Sequence, residues 1–135
     1  MKRTFKSMFV SLLPVFLVAI SGLLAANLPA RAQTAPGNAM LVLDASGSMW
    51  GQIEGISKMQ IAREVVSNML DNWNPKRNLG LMAYGHRRKG DCGDIQTLAR
   101  VGPVDPVAMK ALVNSLNPRG KTPISAAVRL AAEGL

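Results

Sequence analysis

Leu41-Val42-Leu43-Asp44-Ala45-Ser46-Gly47-Ser48-Met49 is the stretch on which the reading of this chain turns. Ala39 to Leu43 is a continuous apolar run without alternation, the pattern of a strand covered on both faces, and it ends at Asp44. Oxygen-bearing side chains follow at every second position. Ligands of open α/β sheets gather at the carboxyl ends of strands. A tight loop, made easy by Gly47, turns Asp44, Ser46 and Ser48 toward one point. One carboxylate and two hydroxyls suit a hard cation such as magnesium or manganese. So few anionic ligands leave the ion underneutralised, with a position open to a carboxylate from another molecule. The plainer alternative is an Asp/Ser/Gly loop whose side chains bond their own backbone.

Working outward, Asp44 to Ile56 reads as a loop rich in Gly and Ser. A helix follows, with Ser57 as its cap and Gln60 completing a capping box. Met59, Ala62, Val66, Met69, Leu70 and Trp73 recur at helical spacing as its apolar face, and Asn74-Pro75 stops it. Leu79 to Tyr84 is a second buried strand. After the polar loop Gly85 to Gly93, the residues Ile95, Leu98 and Val101 mark a weaker strand at the sheet edge. Pro106 to Leu116 is a second helix, with Val107, Leu112, Val113 and Leu116 on its apolar side. Thr122-Pro123 reads as a cap followed by proline in the first helical position of a third helix. Its stripe is Ile124, Ala127, Val128 and Ala131, with Gly134 as its C-terminal cap. The order strand, helix, strand, strand, helix, helix implies an α/β fold with an open, mostly parallel sheet. The third helix is expected to lack a sheet to cover.

Toward the other end, Lys2, Arg3 and Lys6 precede an apolar run from Met8 to about Leu24, and Ala30-Arg31-Ala32 offers a cleavage site. Residues 1–32 are therefore expected to be a signal peptide cleaved after Ala32, with 33–38 a linker. The protein is then periplasmic or extracellular. The alternative is an uncleaved anchor, since the run approaches the roughly 20 residues that span a bilayer; Pro14, Ser21 and Gly22 interrupt it. The charge agrees with this division. Of 16 basic residues, Lys2, Arg3, Lys6 and Arg31 fall in the first 32 positions, which hold no acid, so the net charge of +8 overstates that of the mature chain. His86-Arg87-Arg88-Lys89 is a solvated loop rather than a nucleic-acid site, with Asp91 and Asp94 offsetting it. Cys92 is the single cysteine, which excludes an internal disulfide and any cysteine metal or redox motif.

Leu41 to Met49 resembles the opening strand and metal-ion-dependent adhesion site of von Willebrand factor type A domains, and Gly120-Lys121-Thr122-Pro123-Ile124 is similar to the second metal loop of that family. The stretch Tyr84-Gly85-His86-Arg87 through Gly90-Asp91-Cys92-Gly93-Asp94-Ile95 looks most like exported bacterial members. The resemblance covers nearly all of residues 39–135. It implies a metal site of Asp44, Ser46, Ser48 and Thr122 holding magnesium or manganese, and a non-catalytic module that binds a protein partner through an acidic residue. It also implies a further strand and an Asp-Gly aspartate after the third helix. The sequence ends at Leu135 before either, so 39–135 is expected to be the N-terminal part of such a domain.

Two enzymatic alternatives use the same residues. Asp44 stands where haloacid-dehalogenase-type phosphotransferases carry a nucleophile, but these need a second carboxylate two residues on, and Ser46 is there. Ser48 as a hydrolase nucleophile lacks the Gly-x-Ser-x-Gly elbow, and His86, the one histidine, has no evident nucleophile to pair with. Trp73 is assigned to the core. Trp50, directly after the metal loop, either packs that loop down or stands exposed as a contact residue, and packing is the commoner use. Sequencing of the exported protein is expected to begin at Gln33; recovery of Met1, or of a chain held in the membrane, points to an anchor instead.

Overall fold

A computed structural model describes residues 37–135; residues 1–32, expected to be a signal peptide, and residues 33–36 of the expected linker lie outside them. The apolar run becomes β1 (Asn38–Asp44), which carries its strand hydrogen bonding as far as the aspartate. The stretch read as loop is more ordered than expected. A 3-10 turn (Gly47–Trp50) leads into a two-stranded hairpin, β2 (Gln52–Ile53) and β3 (Ile56–Ser57). Glu54 and Gly55 form the hairpin's two-residue turn with φ of 52° and 84°. Both central residues are left-handed, which matches the right-handed twist of the strands.

Helix α1 (Lys58–Asp71) starts where its cap required: the Ser57 hydroxyl accepts from the Gln60 N–H at 3.2 Å. Met59, Val66 and Leu70 bury its apolar face, and Trp73 packs partly buried against the same core. β4 (Asn78–Tyr84) returns parallel to β1, in register from Asn38↔Asn78 to Asp44↔Tyr84. β5 (Ile95–Gly102) then pairs antiparallel with β4, and the sheet order is β1-β4-β5. Among the described residues the sheet is thus mixed, with one parallel and one antiparallel pairing. The segment between Tyr84 and Ile95 holds no helix, and without a crossover element a strand can only fold back as its neighbour's antiparallel partner.

Helix α2 (Pro106–Ser115) is capped by Asp105, which accepts from the N–H groups of Val107 and Ala108. Helix α3 (Ile124–Glu133) follows. The strands divide their side chains by alternation. Leu43, Leu79, Leu81 and Ala83 face α1 and α2 in one core, with Met109, Val113 and Leu116. Met82 and Tyr84 face α3 on the other side, against Ala127 and Ala131. The third helix therefore has its sheet, and both faces are covered. Its small alanines, not its bulky residues, do the covering.

Three apolar assignments fail for the same reason. Val107, Ile124 and Val128 are 79%, 55% and 53% exposed, while Met109, outside the expected stripe, is buried. On helices this short, the angle at which the helix meets the sheet selects the buried residues, and spacing alone does not reveal it. Pro123, not Thr122, is the α3 N-cap, and Thr122 makes no capping bond. Gly134 closes α3 at φ −91°, without using glycine's left-handed freedom. Glu54 occupies a left-handed position that favours Asn, so Glu54→Asn is expected to raise stability by up to about 1 kcal/mol in chemical denaturation, with an unchanged slope.

Candidate functional site

Three loops meet at the carboxyl ends of β1 and β4, and they meet backbone to backbone. The Ala45 N–H donates to the Tyr84 carbonyl at 2.9 Å, extending the β1–β4 ladder past its end. Ser46 forms a parallel bridge with Gly120, and the Gly47 N–H donates to the Gly120 carbonyl at 3.0 Å. The N–H groups of Arg119 and Gly120 both donate to the Gly85 carbonyl, at 3.0 and 2.7 Å. Such closeness requires missing side chains. A Cβ on Gly85 would lie 2.5 Å from the Lys121 carbonyl oxygen and 2.9 Å from Ser46 Cα, and Gly85 also has φ +71°. A Cβ on Gly120 would lie 2.5 Å from the Arg88 carbonyl oxygen. Sequence reading quoted these two glycines only within stretches resembling the family and gave neither a role of its own, yet they bring the loop of Thr122 alongside the loop of Ser46.

Within this frame the Asp44 carboxylate accepts from the Ser46 N–H at 2.7 Å, and the Ser46 and Ser48 hydroxyl oxygens are 3.0 Å apart. Ser46 is buried, Asp44 half-buried, and Ser48 and Thr122 are exposed. The three residues of the first loop therefore converge, and the fourth stands two residues beyond the glycine that pairs with Ser46. The self-bonding expected of a plain Asp/Ser loop is also present, in the Asp44–Ser46 turn. Among the described residues, no three His, Cys, Asp or Glu side chains come together. Any ion here would be held mainly by hydroxyls.

Tyr84 is the neighbour that sequence reading did not anticipate. It lies opposite Asp44 in the β1–β4 register, on the same face of the sheet. Its phenol is pushed up to about 12, first by burial, then by the negative charge of Asp44 and a hydrogen bond to it. The phenol is thus a neutral neighbour of the carboxylate. Trp50 resolves the choice between packing and exposure by doing both. Its indole N–H donates to the Pro118 carbonyl at 2.9 Å, tying the first loop to the segment before Arg119, while the residue stays 53% exposed. Ser48's hydroxyl partner is Ser46, and His86 bonds Gln96 at 3.0 Å, so neither enters a nucleophile–base pair.

The loop between β4 and β5 is organised by Asp94. Its side chain is fully buried and accepts from the backbone N–H groups of Arg87 and Arg88 at 2.7 and 2.9 Å and from Arg87 Nε at 2.6 Å. Burial alone pushes this carboxyl up, but the backbone bonds from Arg88 and Arg87 and the Arg87 guanidinium together hold it below the ordinary 3.8. Above 3.8 the carboxylate is ionised in folded and unfolded chains alike and its bonds stabilise in full; that contribution is lost as pH falls through the depressed folded value. Asp94→Asn sets an amide donor against one of these donors. It is expected to cost about 2–3 kcal/mol at neutral pH. In denaturant melts, the gap to wild type narrows as pH is lowered below 3.8.

Residues 39–135 match the description of the von Willebrand factor type A domain. The uncharacterized protein YwmC of Bacillus subtilis (strain 168) is 29% identical over 101 residues, covering 70% of this chain and 44% of its own, so the chain spans less than half the length of this curated relative. An aerotolerance-related membrane protein from Bacteroides fragilis superposes with a TM-score of 0.59 at 26% identity, over 72% of this chain and 45% of that one. The corresponding domain of the type V pili tip protein Mfa5 from Porphyromonas gingivalis gives 0.54 at 23% identity, over 76% and 33%, a likeness of fold. Domains of this kind generally bind protein partners rather than catalyse reactions. With β1, its Asp-x-Ser-x-Ser turn and the helices on both faces of the sheet inside the matched span, the chain belongs to the von Willebrand factor type A domain family.

Proposed function

We propose that this chain is an exported, non-catalytic module that captures a protein partner through one magnesium or manganese ion held by Asp44, Ser46, Ser48 and Thr122. The observation that carries the proposal is the convergence of the Asp44 carboxylate and the Ser46 and Ser48 hydroxyls beside the loop of Thr122. The donor set is all oxygen, with a single anion, which fits a hard cation that retains water and makes few protein contacts. An ion bound there would supply a Lewis-acidic position for a partner's carboxylate.

The chain's own residues prepare that position. The Ser46 N–H holds Asp44 in one orientation, with the Tyr84 phenol beside it on the neighbouring strand, so an ion would cost the carboxylate little side-chain freedom. Burial of Ser46 sets one hydroxyl from below, while exposed Ser48 and Thr122 leave the outer side open. Exposed Arg119 and Lys121, on the loop that bears Thr122, favour an approaching anion. Export is supported by the n-region and apolar run of residues 1–32, and by the membrane location stated for the Bacteroides fragilis neighbour.

Isothermal titration of the full chain with magnesium and with manganese is the direct test. Asp44→Ala removes the one anion and is expected to abolish binding. Ser48→Ala removes a neutral ligand and is expected to weaken it by about tenfold, an effect near 1.4 kcal/mol. Equal affinities for wild type and both variants reject the site.

A further inference from the structure

The 3-10 turn that holds Ser48 ends at Trp50 and leads into the β2–β3 hairpin, and the two together carry apolar side chains that no core claims. Trp50, Ile53 and Ile56 are 53%, 53% and 45% exposed. Single exposed apolar residues are ordinary, but here three fall within seven positions, Trp50 at the end of the 3-10 turn and the two isoleucines on a short ribbon outside the main sheet. Ile53 and Ile56 are directly opposed in the hairpin register, so their side chains share one face. The ribbon is held to the site at its base. The Lys58 N–H donates to the Gly51 carbonyl at 2.9 Å, and Trp50 is pinned to Pro118.

Two features give this surface the character of a prepared contact. The Trp50 ring is fixed through its N–H while half of it faces solvent, so ordering it on binding costs little. The turn holds Glu54 at φ 52°, a conformation that non-glycine residues rarely adopt, and so keeps the two isoleucines paired and presented. Basic side chains flank its base: Lys58 lies over Gly51, within 3.7 Å of where a side chain there would begin, and Arg119 and Lys121 are exposed on the segment that follows Pro118, the partner of Trp50. The one acid of the hairpin, Glu54, stands at its tip, away from this basic base.

We propose that the hairpin is the second half of the binding surface and selects what accompanies the partner's carboxylate. The partner is a protein segment in which an acidic residue is followed or preceded closely by aromatic or aliphatic side chains. The acid goes to the cation, and the apolar neighbours pack on Trp50, Ile53 and Ile56. The inference rests on the metal reading above, and it adds the apolar requirement.

The test uses the full chain and an array of short synthetic peptides, each with one central aspartate and with flanking positions varied between alanine and phenylalanine. In magnesium, peptides with phenylalanine beside the aspartate are expected to bind at least about tenfold more tightly than the all-alanine peptide, from burial of one aromatic ring. Ile53→Thr combined with Ile56→Thr keeps β-branched side chains in the strands while removing apolar surface, and is expected to reduce that preference to within about twofold. Matching thermal melts confirm that the variant is folded. Chelation and Asp44→Ala are expected to abolish binding of both peptide types. Metal-dependent binding that ignores the phenylalanines overturns the hairpin role and leaves the metal reading standing. Phenylalanine-dependent binding that survives chelation overturns the metal reading instead. Absence of binding by any peptide overturns the inference, as does hairpin-dependent association with anionic phospholipid vesicles or a hairpin-dependent dimer in sedimentation, each of which assigns the surface to another occupant.

Discussion

Peptide groups of three loops lie in direct contact at the end of the sheet, and the rest of the site depends on that contact. Gly85 and Gly120 have no side chain where one would collide with a carbonyl or a Cα of the facing loop. Backbone donors of residues 119 and 120 close on the Gly85 carbonyl, and Ser46 closes on Gly120. Hydrogen bonds between fixed peptide groups tolerate little displacement, so the positions of Asp44 and Ser46 are set by the same ladder that builds the strands. A hydroxyl-rich site needs this kind of support. With one carboxylate, it has little charge with which to organise itself around an ion.

Asp94 secures the remaining side of the triangle. A buried carboxylate with three donors is stable only while all three are in place, which ties the path of residues 85–88 to the start of β5. Through the Arg88 carbonyl, which abuts Gly120, that path also bounds the loop bearing Thr122. The order of the β4–β5 loop and the geometry of the hydroxyl site are thus one problem, solved with backbone atoms and a single buried charge.

Much of this was legible in sequence where the signal was local. The apolar run before Asp44, the Ser57 cap and the period of α1 all have causes contained within a few residues, and each appears where expected. The α/β class and the meeting of Asp44, Ser46 and Ser48 follow from the same local signals. What escaped depends on partners distant in sequence. The antiparallel β5, the exposure of Val107, Ile124 and Val128, and the roles of Gly85, Gly120 and Tyr84 are set by what packs opposite them. The β2–β3 hairpin is an exception. Glu54-Gly55 between two isoleucines is a local turn signal, and it was hidden only because glutamate is an unusual choice in a left-handed position.

The joining of Ser46 to Gly120 through peptide groups alone has a consequence for how such a module diversifies. Arg119 and Lys121 flank the glycine and face solvent, and neither side chain takes part in the pairing that locates the first loop. Selection can therefore exchange these residues for others of different charge or bulk while the hydroxyls and the carboxylate stay in register. Rim chemistry and the geometry of the carboxylate and hydroxyls are separable traits on this scaffold: one drifts with the exposed side chains, and the other is inherited with the glycines.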